Sequence, residues 1–181
     1  MADLTNLADA KAWLTVSGNA DDALLTRLIS ASSDYIQTWL SRDISLQPYV
    51  STRNGTGGKR MMFKNYPVAS ITYLKIDGTT IPLSTNGANG YVSDTYTLML
   101  IGYTFTRGYQ NVELSYTAGY ASVPKEIAQA CIELVALRYK DRDHISMVSK
   151  SIGGEVVTYS QKDMSDSIKT TLSNYKKVIS L

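Results

Sequence analysis

Apolar positions recur at helical spacing in four stretches of the chain, and at strand spacing between the second and the third. In "TNLADAKAWLT", residues 5 to 15, Leu7, Ala10, Trp13 and Leu14 share a helical face behind Thr5 or Asn6 as N-cap, and "VSGN" closes the element. Asn19 then caps a longer helix over 20–41, whose early acids Asp21 and Asp22 suit the positive end of the helix dipole. Leu24, Leu28, Ala31, Tyr35 and Trp39 form one apolar row along it, and Leu25, Ile29, Ile36 and Leu40 the adjacent one. A third helix opens at Pro124, a residue suited to a first helical position because its missing N–H has no partner there anyway. Its polar stripe of Lys125, Glu126, Gln129, Glu133 and Lys140 is only about 100° wide, which leaves about 220° for mainly apolar side chains. Ile127, Ala128, Ala130, Cys131, Ile132, Leu134, Val135, Leu137 and Tyr139 fill that arc. A surface helix needs only about 100° of apolar face, so this one lies between two layers. The pattern allows the second layer to be the rest of a small bundle or another subunit. A fourth stretch sets Met164, Ile168, Leu172, Tyr175 and Ile179 on a narrow stripe, with Lys176 and Lys177 near its negative C-terminal end.

From about residue 49 to 119 the period changes, and Gly, Thr, Tyr and β-branched residues dominate. "ITYLKIDGTTIPL" places Asp77-Gly78 between two strand-like runs, the signature of a type I′ hairpin, in which both central residues need positive φ. "TYTLMLIGYTF" and "NVELSYTAGY" add further strands, for five to seven in all. Beyond residue 141 the chain is too β-branched and Gly-broken to remain helical, which predicts an extended arm or hairpin over 145–160 that bends at Gly153-Gly154. The fold class is therefore α+β. About four helices from 1–48 and 120–181 make a small bundle, with an inserted antiparallel β domain over 49–119 and an extended C-terminal arm.

Composition narrows the function. Among 181 residues, 18 basic and 16 acidic side chains give a net charge of +2, too balanced for a nucleic-acid or anionic-membrane patch to be the default reading. The first thirty residues hold no basic and apolar leader, and no stretch reaches eighteen uninterrupted apolar residues, so a soluble protein made in the cytoplasm is expected, without a membrane partner. Thirteen tyrosines against two phenylalanines favour surfaces packed on one side and wet on the other. Cys131, the single cysteine, falls in the apolar arc and reads as a structural thiol.

Catalytic motifs fail on detail. "NGTGGKR" at 54–60 departs from a phosphate loop, having Arg53 where glycine is needed, Arg60 where Ser or Thr is needed, and no helix after it. His144, the only histidine, sits beside Asp141 and Asp143 on a polar tip and reads as solvated rather than as a metal ligand. No catalytic residue, metal or cofactor is expected, and an enzyme lacks its parts. Arg53, Lys59, Arg60 and Lys64, with Phe63 and Tyr66 interleaved, keep a nucleic-acid-binding module as a reading of another class.

The order of these pieces resembles the head-to-tail connector, or adaptor, proteins of long-tailed double-stranded DNA phages. "LTNLADAKAWLTVSGNADDALLTRLISASSDYIQTWLSRDI" is similar to the family's short helix, acidic cap and long helix. "YPVASITYLKIDG" is similar to its hairpin entry, "YTAGYASVPKEIAQACIELVALRYKDRD" to the run into its central helix, and "VSKSIGGEVVTYS" with "IKTTLSNYKKV" to its loop and closing helix. The 49–119 insertion is longer than in purely helical members, and Gly153-Gly154 replaces the single glycine followed by an acid common in others.

The resemblance implies a non-enzymatic structural protein of the virion neck, synthesised in the host bacterial cytoplasm. It implies a homo-oligomeric ring, commonly twelve-fold (a dodecamer), beneath the portal protein. Such a ring extends the DNA channel without binding DNA specifically and docks a stopper or tail-completion protein. A stopper or tail-completion protein is the alternative within the neck, and would be dominated by β structure. On this reading the apolar arc of the third helix packs on the helix of 20–41 and on the closing helix, and its remaining edge, with Ile132 and Tyr139, faces a neighbouring subunit. An obligate interface buries about 2,000 Å² or more, beyond what one helix edge supplies. The arm is therefore expected to reach the next subunit through Met147, Val148, Ile152, Gly153, Gly154, Val156, Val157 and Tyr159. By resemblance, Tyr175, Lys176, Lys177, Val178 and Ile179 contact the portal.

Overall fold

The structure, a computed structural model, describes residues 2–142, 149–152, 155–158 and 164–177. The chain divides into two compact units, one from its two ends, Met1–Arg42 with Val123–Val178, the other from Asp43–Ser122. The divisions lie outside the 48/49 and 119/120 positions expected from composition. Pairing continues past the strands there: the Leu46 N–H donates to the Tyr120 carbonyl at 3.0 Å and the Tyr120 N–H to the Ile44 carbonyl at 2.8 Å.

In the helical unit, α1 (Leu7–Leu14) opens at Asn6, whose side chain accepts from the Asp9 N–H at 2.9 Å, and ends at Thr15 in the left-handed region, φ 56°. α2 (Asp22–Leu40) opens after Asp21 rather than after Asn19. The Asp21 carbonyl takes the first helical bond, from the Leu25 N–H at 2.8 Å, while the Asn19 carbonyl serves only the turn before it. Lys11 ties the two helices, its Nζ lying 2.6 Å from both the Asp22 carboxylate and the Gly18 carbonyl. α3 (Lys125–Asp141) follows Pro124, and the last helix (Asp166–Ser173) is capped by Ser165, which accepts from the Ile168 N–H.

α3 packs against α1, α2 and the last helix, so the breadth of its apolar arc is explained within one chain. Leu25, Ile29, Ile36 and Leu40 of α2 meet a core of Ile127, Cys131, Leu134, Val135, Ile168 and Leu172, all nearly inaccessible. Of the two rows on α2 only this one is fully buried. Leu24, Leu28, Tyr35 and Trp39 stay half-buried, Ala31 is exposed, and Trp13 of α1 is 53 % exposed. The buried row also holds Ser32, Ser33 and Gln37, each with a partner as burial demands. Ser33 accepts from the Leu4 N–H at 2.9 Å, Gln37 donates to the Ala2 carbonyl at 3.0 Å, and Ser32 accepts from Arg138 at 3.2 Å.

The other unit holds seven strands: β1 (Gln47–Gly55), β2 (Arg60–Met62), β3 (Val68–Ile76), β4 (Thr79–Ile81), β5 (Gly90–Ser93), β6 (Thr97–Ile101) and β7 (Gly108–Ala118). They form two antiparallel sheets, ordered β1-β7-β3-β4 and β2-β6-β5. Phe63, Leu74, Leu98, Leu100, Phe105, Val112, Leu114 and Tyr116 belong to one buried cluster. Asp77 and Gly78, at φ 51° and 76°, turn β3 into β4 as the dipeptide predicts. β8 (Ser149–Ile152) and β9 (Glu155–Thr158), in the arm, pair antiparallel with one another, and the last helix is α4. The architecture is the α+β arrangement expected from the sequence, with four helices and antiparallel sheets among the described residues.

One polar knot fastens the loops at an end of the β unit. Asn111 accepts from the Gly55 N–H at 2.8 Å and donates to Asp77 at 3.0 Å and to the Thr106 carbonyl at 2.9 Å. The Thr106 hydroxyl also donates to Asp77. A Cβ on Gly55 would stand 1.8 Å from the Thr106 carbonyl oxygen, so only glycine allows the closure. The hydrogen bonds from Thr106 and Asn111 hold the Asp77 carboxyl below its ordinary 3.8. A carboxylate whose folded pKa is depressed contributes stability above the unfolded value and loses it as pH falls through the folded one. Wild type is therefore expected to lose thermal stability relative to Asp77→Asn as pH drops below 3.8, with a constant difference above about pH 5. Melting curves across that range check it, and parallel curves would exclude Asp77 as the titrating group.

Candidate functional site

The surfaces singled out from sequence differ in what the structure does with them. Tyr175, Lys176 and Lys177 follow α4 and lie along the end of α2 and the start of α3. The Tyr175 hydroxyl donates to Glu126 at 2.8 Å, and its carbonyl accepts from Arg42 at 3.5 Å. The Lys177 N–H donates to the Leu40 carbonyl at 3.0 Å, satisfying an α2 end group. The Lys176 ammonium lies 4.7 Å from the centre of the Trp39 ring, a cation–π contact. Trp39 was expected on an apolar row; its role under Lys176 depends on a segment distant in sequence. Val178 and Ile179 lie outside the described residues.

Of the expected helix edge, Ile132 is 8 % exposed within the single chain. α3 is covered from more sides than its polar stripe suggests, Ala136 also being buried. Tyr139 is half-buried and already engaged, donating to Asp21 at 2.7 Å beneath the Arg142 guanidinium, 4.1 Å above its ring. The larger partly open apolar surface of this unit is the second row of α2, with Arg138 5.0 Å over Tyr35. In the arm, Ile152 ends β8 and Val156 and Val157 lie on β9, whereas Met147, Val148, Gly153, Gly154 and Tyr159 fall outside the described residues.

The glycine-rich stretch spends its donors internally. Gly57 donates to the Phe105 carbonyl at 2.6 Å, Gly55 to Asn111 and Gly58 to Thr56 at 3.4 Å, and the loop leads into β2 where a phosphate loop leads into a helix. Of the basic cluster beside it, Lys59, Arg60 and Lys64 are exposed and Arg53 is half-buried. Arg53 donates to the Met62 carbonyl, Arg60 approaches the Met99 sulfur at 3.4 Å, Phe63 is buried, and Tyr66 meets Tyr96 edge-on at 5.2 Å. Aromatic faces committed to each other are not platforms for bases. Burial pushes the Cys131 thiol up to about 11, with a weak Ser33 contact at 3.6 Å opposing it, which leaves an inert thiol. An open cleft of about 490 Å³ in the β unit is lined by Ile76, Ile81, Tyr103 and Lys59 beside Asp77 and Thr106, whose carboxylate and hydroxyl are tied to each other and to Asn111 in the polar knot. Among the described residues no group of three acidic, His or Cys side chains is placed to hold a metal ion, and no helix is long and apolar enough to cross a membrane. His144 lies outside them.

What the molecule presents is thus surface: an aromatic–cation strip at the end of α2, a half-covered helix row, an arm hairpin and a β unit with an open edge. Residues 3–178 match the model of the head completion protein family. The chain belongs to that family, a family of phage head-to-tail connector proteins and so of structural virion components. A comparison with curated protein sequences gives no significant match. Three solved structures share the fold over nearly the whole chain. They are a chain from the neck of an empty gene transfer agent particle computed with C6 symmetry (18 % identity, 99 % of this chain and 96 % of that one, TM-score 0.61), one from the virion of a native gene transfer agent particle (20 %, 98 % and 92 %, 0.62), and one from the neck of the native particle computed with C12 symmetry (18 %, 99 % and 96 %, 0.58).

Proposed function

We propose that this protein is the head-to-tail adaptor of a phage neck. Copies of it form a ring beneath the portal, extend the DNA channel and offer a face to a stopper or tail-completion protein. The observation that carries this reading is the family match over residues 3–178. The similarity to neck chains in structures computed with C6 and C12 symmetry supports a ring, with twelve copies the leading number. Helices at both ends of the chain favour the adaptor over the stopper, for which a dominant β fold is expected. The role is mechanical and not enzymatic. DNA passes without specific contacts, since many phosphate contacts would hold it in the channel.

The portal-facing element in this reading is the segment after α4. Mixing the purified protein with its portal and imaging by electron microscopy tests the reading: a ring added to the portal is expected, and a protein that stays monomeric beside the portal overturns it. Removing residues 174–181 is expected to abolish that addition while the β unit keeps its circular dichroism. Unchanged binding would assign the portal contact elsewhere.

A further inference from the structure

β1 is an end strand. It pairs with β7 along one side, and among the described residues nothing pairs with the other. A free edge of nine residues is a template for another strand, and native proteins shorten such edges, charge them or cover them. The opposite end strand of the same sheet, β4, has the shortened form at three residues. β1 has little protection: Pro48 stands at its start and a register break at its end, but Tyr49-Val50-Ser51-Thr52 is uncharged and β-prone, and Val50 is 73 % exposed. The unpaired N–H and C=O groups of such an edge are satisfied by one kind of ligand, an extended chain laid beside it.

The chain carries a matching donor. β8 and β9 pair only with each other among the described residues, so each has a free edge of its own. β9 reads Glu-Val-Val-Thr, β-branched and headed by an acid opposite in sign to Arg53 of β1, whereas β8 carries Lys150, of the same sign. We propose that the outer edge of β9 in one copy adds to the outer edge of β1 in the next copy, extending the β1-β7-β3-β4 sheet across the subunit boundary. The proposal rests on the ring reading above and names the surface that receives the arm. Donor and acceptor are different patches, so the contact is heterologous and closes into a ring when the rotation between copies fits.

Cysteine pairing tests it, because Cys131, the only native thiol, is buried. Val50→Cys protein is mixed with Val156→Cys or with Val157→Cys protein under the portal conditions in which wild type forms rings, then oxidised. Each copy carries one introduced thiol, so a 50–156 or 50–157 bond can form only between copies. Successive residues of a strand point to opposite faces, so one of the two mixtures is expected to give covalent dimer at least several-fold above the other. A Val92→Cys partner on β5 is expected to give none. Rings with equal bonding at both positions, or at neither, overturn the edge contact while leaving the adaptor reading in place. Failure of wild type to form rings overturns the adaptor reading and the edge contact with it.

Discussion

Replacing Tyr116 by alanine is expected to destabilise the β unit by about 3–5 kcal/mol, the range for removing a large buried aromatic from a core. The ring is 1 % exposed in the middle of β7, the strand that pairs with both β1 and β3, opposite Tyr49 and Ile71. Its neighbours are Phe63, at 5.1 Å between ring centres, and Tyr49, at 5.7 Å, so truncation leaves a cavity where three aromatic side chains meet. Its hydroxyl accepts from the Asn65 N–H at 3.2 Å. Tyr116→Phe therefore removes one hydrogen bond and no packing, for about 0.5–1.5 kcal/mol. Urea titration of the three proteins measures both steps. A loss below about 1 kcal/mol for the alanine variant would mean that this ring does not organise the sheet.

Deleting residues 146–159 is expected to remove assembly altogether while leaving a folded monomer. The buried apolar residues described in the two units lie outside that segment. What is lost is reach. The half-covered row of α2 is a narrow strip, and a stable obligate interface needs about 2,000 Å² or more, which a helix face without an arm does not supply. Mass photometry in the presence of portal reads the outcome. Rings of normal size from the deleted protein would remove the arm from the interface and leave α2 to carry it.

Much of the fold is written in local patterns. Asp77-Gly78 named its hairpin because a type I′ turn tolerates few dipeptides, and the 220° arc of α3 announced a central helix because apolar surface of that width must be covered on more than one side. The two rows of α2 were equally apolar to the eye, yet only one is fully buried. Its polar members are held by Ala2, Leu4 and Arg138, partners that no helical period reveals. Trp13, expected on a packed face, is half exposed for the same reason: periodicity gives the face of a helix but not what lies against it.

The candidate surfaces divide in the same way. Tyr175, Lys176 and Lys177 could be named from the end of the last stripe, but the Trp39 ring beneath Lys176 and the Glu126 acceptor for Tyr175 come from other helices. The open edge of β1 has no sequence signal at all. Whether a strand is central or terminal depends on the order β1-β7-β3-β4, which sets the first strand beside the seventh and is decided by long-range pairing. The sequence by itself determined the helices, the hairpin, the α+β class and, through resemblance, the family. Only the tertiary structure decided which apolar row is left half open and which strand edge lies unpaired, because burial and edge position are properties of the packed chain and not of any window along it.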